Sequence, residues 1–93
     1  MTETNQDELI LILAKELETD MLSLYGPTMF GKHLIQALGF GSADAFRQAV
    51  SRKTIPVAIF PIEKRKGKFA LTKDVAYWLA AQRVINSMDM EVQ

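Results

Sequence analysis

The chain has 93 residues, 48% of them hydrophobic and 24% charged, with 11 Lys+Arg against 11 Asp+Glu and no cysteine. That is the size of one small domain with a modest core, and the missing cysteine excludes a disulfide scaffold, Cys-based zinc sites and thiol chemistry. The acidic start MTETNQDEL lacks the basic region of a secretory signal, and the longest apolar run, LILILA (9–14), is too short to span a bilayer, so the expectation is a cytoplasmic protein without membrane contact.

The neutral total hides an asymmetry. Residues 1–20 hold six acids and one base, a balance of −5, whereas residues 47–68 hold seven bases and one acid, a balance of +6. Such a split within one small domain is an interaction signal, and its basic part points to a polyanion.

The first segment predicts a helix. Asn5 can cap it, with Glu8 three residues on completing a capping-box pattern. Leu9, Leu13, Leu17 and Leu24 recur at helical spacing, and Ile10, Ala14, Met21 and Tyr25 widen that face. Leu11 and Leu22 fall off its edge three turns apart, which makes them candidates for a dimer contact or for another protein partner. Gly26-Pro27 ends the helix.

A short second helix is expected from about Met29 to Leu38, with Leu34, Ile35 and Leu38 inward. The turn LGFGS (38–42) follows, in which Gly39 can take a positive φ and Ser42 can cap the next helix. A third helix is predicted over Ala43 to Arg52. Ala45, Phe46, Ala49 and Val50 form its inward stripe; Asp44, Arg47, Gln48 and Ser51 form the outward one. TIPVAIFPI (54–62) reads as extended, with Pro61 limiting it to an edge or bulge. KFAL (68–71) reads as the returning strand, so 59–62 and 68–71 are expected to form a hairpin around Glu63–Gly67. Thr72 is expected to cap the last helix, with Val75, Trp78, Leu79 and Ile85 on one apolar face and Tyr77, Ala81, Val84 and Met88 on a second. Phe46 and Trp78 are expected in the core, with Phe40 under the turn.

The expected fold class is mainly α with one small β-hairpin, in the order helix, helix, turn, helix, hairpin, helix. Two helices joined by a short Gly turn make a helix-turn-helix, and a hairpin after the second is what a winged version adds. No linker or repeat divides the chain. It is read as a single domain, 1–93, made of an added N-terminal helix (1–28), a winged helix-turn-helix (29–89) and a frayed tail (90–93).

From about Met29 to Ala81 the sequence resembles the compact winged helix-turn-helix group of phage excisionases, AlpA-type activators and MerR-type DNA-binding heads, and within it the pyocin-activator type. The resemblance rests on HLIQALGF, AFRQAV, TIPVAIFPI and KFALTKDVAYWL, in that order. It departs in three places. Lys53 stands where such proteins usually carry Gly two residues before the Leu/Ile-Pro pair, the turn GFGS is one residue long for the pattern, and the first 28 residues have no counterpart in the minimal domain. The resemblance implies a small transcriptional regulator or excisionase-like accessory factor of a phage or other mobile element, bacterial or phage-encoded and associated with the nucleoid.

On that fold the third helix would enter a DNA major groove. Arg47 can bond bidentately to guanine, Gln48 to adenine, and Ser51 can reach a base or a phosphate; these are the candidate base-reading residues. Asp44, in the first turn, is read as complementing the helix dipole. Arg52, Lys53, Lys64, Arg65, Lys66 and Lys68 are the candidate backbone contacts, which would give affinity without sequence information, and Arg65 at a wing tip can also enter a minor groove. The plain alternatives are a solvated helix face and a hairpin kept soluble by lysines. His33, the only histidine, has no partner pattern for a metal. No nucleophile motif is present, and GFGSAD is not a dinucleotide loop because a helix precedes it. The expectation is a double-stranded DNA-binding protein that is not an enzyme and needs no cofactor, metal or small-molecule substrate. The alternative from another class is an interaction or dimerisation module that uses the N-terminal helix without DNA. RNA binding ranks lower, since no exposed aromatic platform on a sheet is predicted.

Overall fold

Asn5 starts the fold as the sequence pattern requires. Its side chain accepts from the Glu8 N–H (2.8 Å), and the Glu8 carboxylate accepts from the Asn5 N–H (3.3 Å), a complete capping box. The structure, a computed structural model, describes residues 5–90, with side chains as far as residue 86. Helix α1 (Gln6–Tyr25) leads to strand β1 (Thr28–Phe30), helices α2 (Gly31–Ala37) and α3 (Ala43–Arg52), strand β2 (Phe69–Leu71) and helix α4 (Thr72–Met90). Among the described residues this is a mainly helical fold with four helices and one two-stranded antiparallel sheet.

Strand β1 corrects the expected start of the second helix at Met29. Thr28, Met29 and Phe30 pair with Leu71, Ala70 and Phe69, and the helix begins only at Gly31, whose φ is +61°. The expected hairpin is also corrected. Of residues 59–62 only Phe60 pairs with the returning strand, exchanging both backbone bonds with Phe69 (2.9 and 3.0 Å). Pro61, next in line, has no N–H to extend a ladder, and the Ile62 carbonyl turns to accept from the Arg65 N–H (2.9 Å). β2 takes its main partner from β1 instead, about forty residues upstream. Phe30 and Phe69 stack at 5.1 Å between ring centroids across that pair.

The two helices around the glycine turn close in the same way. At the end of α2, Gly39 N–H bonds to Gln36 O and Phe40 N–H to Ile35 O. At the end of α3, Lys53 N–H bonds to Val50 O and Thr54 N–H to Ala49 O. Both are Schellman motifs. Gly39 (φ +86°) and Lys53 (φ +60°) fill the left-handed position. Ser42 caps α3 as expected, accepting from the Ala45 N–H at 3.1 Å.

Thr72 does a different job from the one expected. It is the first residue of α4 and fully buried, and its hydroxyl donates to the Gly26 carbonyl at 2.6 Å while its N–H donates to Pro27 O at 2.9 Å. The side chain therefore ties the start of α4 to the end of α1 rather than capping its own helix. This sets α1 and α4 antiparallel, side by side.

The core has two parts. The larger gathers Met21, Met29, Leu34, Leu38, Phe46 and Val75, where α2 packs on α3 and on the sheet. Phe40 lies edge-on to Phe46 at 5.8 Å, under the turn. The smaller holds Ile10, Ala14 and Ala80 between α1 and α4, and Leu17 packs against both. Leu9, Leu24 and Tyr25, expected on the inward face of the first helix, are exposed, because α4 covers only the strip from Ile10 through Ala14 to Met21. Ile85, likewise expected inward, is exposed. Trp78 is half-buried rather than fully in the core, packed on one side and open on the other to a groove lined by Pro56, Val57 and Ala58. Of the expected tail, 90–93, Met90 is still helical in α4, and 91–93 fall outside the described residues, as does the Met88 side chain. Among the described residues no helix is long and apolar enough to cross a membrane.

Candidate nucleic-acid interface

Helix α3 presents two unlike stripes. Phe46 and Ala49 are buried, with Ala45 and Val50 beside them, so the helix is pinned on one side. Asp44, Arg47, Gln48 and Ser51 are exposed on the other, as helical spacing requires. Arg47 donates to the Asp44 carboxylate one turn back, the only ion pair among the described residues. Both side chains are open to solvent, so the pair is weak and exchangeable, worth at most ~1 kcal/mol. Asp44 therefore has two partners, the N-terminal half of the helix dipole and Arg47. The guanidinium is parked over the first turn of α3 and can leave it for a stronger acceptor.

Six further bases lie beyond that stripe, all exposed. Arg52 is in the last turn of α3, with Lys53 directly after it. Lys64, Arg65, Lys66 and Lys68 lie in the loop 61–68, whose neck is the single Phe60–Phe69 rung. Its bend uses Lys64 (φ +64°) and Gly67 (φ +102°), with the Arg65 N–H bonded back to Ile62 O. Among the described residues, no carboxylate pairs with any of these six bases, and none of the described acids of α1 forms an ion pair with the loop.

Sequence reasoning missed one property of this set. Two non-glycine residues take positive φ among the described residues, Lys53 and Lys64. Left-handed backbone costs an L-residue with a Cβ ~1–2 kcal/mol, and glycine is the usual solution. The signal was present at Lys53, which occupies a place where the resembling proteins carry Gly. At Lys64 nothing in KRKGK marks which residue bends.

The candidates thus fall in two places, the outward stripe and end of α3 and the loop 61–68. Leu11 and Leu22 are apart from both, exposed on α1. Exposed Tyr77 on α4 had been expected within an apolar face. His33 is exposed and stacks on Tyr25 at 5.3 Å. No family model, curated protein or solved structure matches the chain.

Proposed function

We propose that this protein is a winged helix-turn-helix binder of double-stranded DNA, a small transcriptional regulator or excisionase-like accessory factor. Helices α2 and α3 with the Gly39 turn would be the helix-turn-helix. The outward stripe of α3 would enter the major groove, with Arg47, Gln48 and Ser51 reading bases. The loop 61–68 would be the wing, lying on flanking phosphates with Arg52 and Lys53.

The observation that carries this reading is the placement of lysine at both left-handed non-glycine positions. A loop selected only for solubility has no reason to put a side chain with a conformational cost at its bend, when glycine fits and neighbouring positions can hold the charge. At the end of α2 glycine fills the same position of the same motif; at the end of α3 a cation does. Backbone strain of this kind is retained where the side chain has work to do. Two features agree with it: six bases with no carboxylate partner among the described residues, and a polar helix stripe with an exchangeable arginine.

Selection of bound duplexes from a random pool tests base reading directly. The wild-type chain should enrich a motif containing guanine, and Arg47→Ala should lose preference at one position by ~1–3 kcal/mol while still binding duplex. Equal enrichment profiles for the two proteins would reject α3 as the reading element. The exposed leucines of α1 favour a protein contact as well, which need not compete with DNA.

A further inference from the structure

One face of the α1–α4 pair carries exposed apolar side chains around a groove. On α1, Leu11, Lys15, Glu18 and Leu22 follow one another at helical spacing. Leu11 is 59% exposed and Leu22 39%. Across the groove, α4 offers Lys73, Asp74 and Tyr77, the last 46% exposed. Leu11, Ala14, Lys15, Glu18, Lys73, Asp74 and Tyr77 line one cleft of about 260 Å³. Over the crest of α1 it continues into a second, of about 400 Å³, shared by Leu11, Ile12, Lys15 and Glu16. Ile12 is itself well exposed. Isolated surface leucines need no explanation, but apolar side chains gathered along a two-helix groove do.

The charges on this face say what kind of surface fits. Lys15 and Glu18 lie on α1, Lys73 and Asp74 on α4, two of each sign. None of the four is in an ion pair, since the only ion pair among the described residues is Asp44–Arg47. An acidic partner would be opposed by half of these charges, and a basic partner by the other half. A copy of the same face, turned by a two-fold axis that passes between Lys15 and Glu18, sets each of these charges against its opposite on the partner, so the mixed pattern can be self-complementary. A copy docked through the basic loop would instead repel itself.

We propose that this face is a self-association surface: a second copy of the chain packs its own α1–α4 groove onto it. Leu11 and Tyr77 become the buried centre, and Lys15 of each protomer pairs with Glu18 of the other. The paired helices form a four-helix arrangement, with α3 and the loop 61–68 outside it. The contact involves none of the proposed DNA-reading residues, so it stands or falls separately from the DNA reading.

The test is mass in solution, by sedimentation velocity over a concentration series of the full chain without DNA. The wild type should shift from monomer to dimer. Leu11→Asp should raise the dimer dissociation constant at least about 30-fold with an unchanged circular dichroism spectrum, because the residue is exposed in the monomer. Lys15→Glu alone and Glu18→Lys alone should each weaken the dimer, and the double swap should restore it. A monomer at every concentration, or a dimer indifferent to Leu11→Asp, overturns the proposal. A double swap no better than the singles overturns the two-fold pairing of Lys15 with Glu18.

Discussion

Lys53 and Lys64 hold the backbone in a conformation that glycine adopts without a steric cost. The two requirements on these positions, a tight turn and a positive charge, can be separated by substitution. Lys53→Gly and Lys64→Gly should each stabilise the fold by ~0.5–1 kcal/mol, the relief of left-handed strain less the extra entropy of glycine in the unfolded chain. Each should also weaken duplex binding and lower the slope of log K against log salt by about 1, the share of one phosphate contact. Urea unfolding and DNA titration of the same preparations check both. Changes of opposite sign in stability and affinity are the signature of a residue kept for binding; a gain in stability with no loss of affinity returns these lysines to the solvated surface. The Gly-to-Lys departure was legible in the sequence at Lys53, but its meaning was not, because a backbone torsion leaves no mark on residue order.

Elements built on a period were read well from the sequence; elements built on a partner were not. The capping box of α1, the Ser42 cap and span of α3, and the Gly39 stop all depend on residues within a few positions of one another, so the sequence carries them. Strand β1 is three residues long, too short to show alternation, and its partner lies in Phe69–Leu71. The hairpin was over-read for the reverse reason. β-branched and aromatic residues in TIPVAIFPI predict extension, but Pro61 limits pairing to Phe60. The Thr72 cap failed because a hydroxyl at a helix start has two uses, and the choice was made by Gly26, forty-six residues away. That junction holds α1, the sheet and α4 together. Thr72→Val, which keeps the shape and removes the donor, should cost ~1–3 kcal/mol by taking the hydroxyl donor from the half-buried Gly26 carbonyl. Thr54→Val, whose hydroxyl bond to Ala49 O is long at 3.4 Å and lies on an exposed residue, should change stability by no more than ~0.5 kcal/mol. Equal losses in the two variants, measured by urea unfolding, would remove the special role given to Thr72.

Across the whole molecule the charge is neutral in sum and divided along the chain. The acids of α1 and the bases of α3 and the loop 61–68 share no ion pair among the described residues. The core divides in the same way. The larger cluster supports α2, α3 and the sheet; the smaller joins α1 to α4; Leu17 connects them. The proposed DNA contacts lie on α3 and the loop 61–68 and the proposed self-association contacts on α1 and α4, so a two-fold dimer of that kind would present two copies of α3 to repeated or palindromic half-sites. On the proposed reading, the bases of α3 and the loop hold a phosphate backbone. Titration of the full chain onto duplex DNA across a salt series tests it most directly. The affinity should fall steeply with salt, and the slope should be reduced by about 2 in the Lys64→Ala/Arg65→Ala double variant. An affinity indifferent to salt, or a double variant with the slope of the wild type, would contradict it.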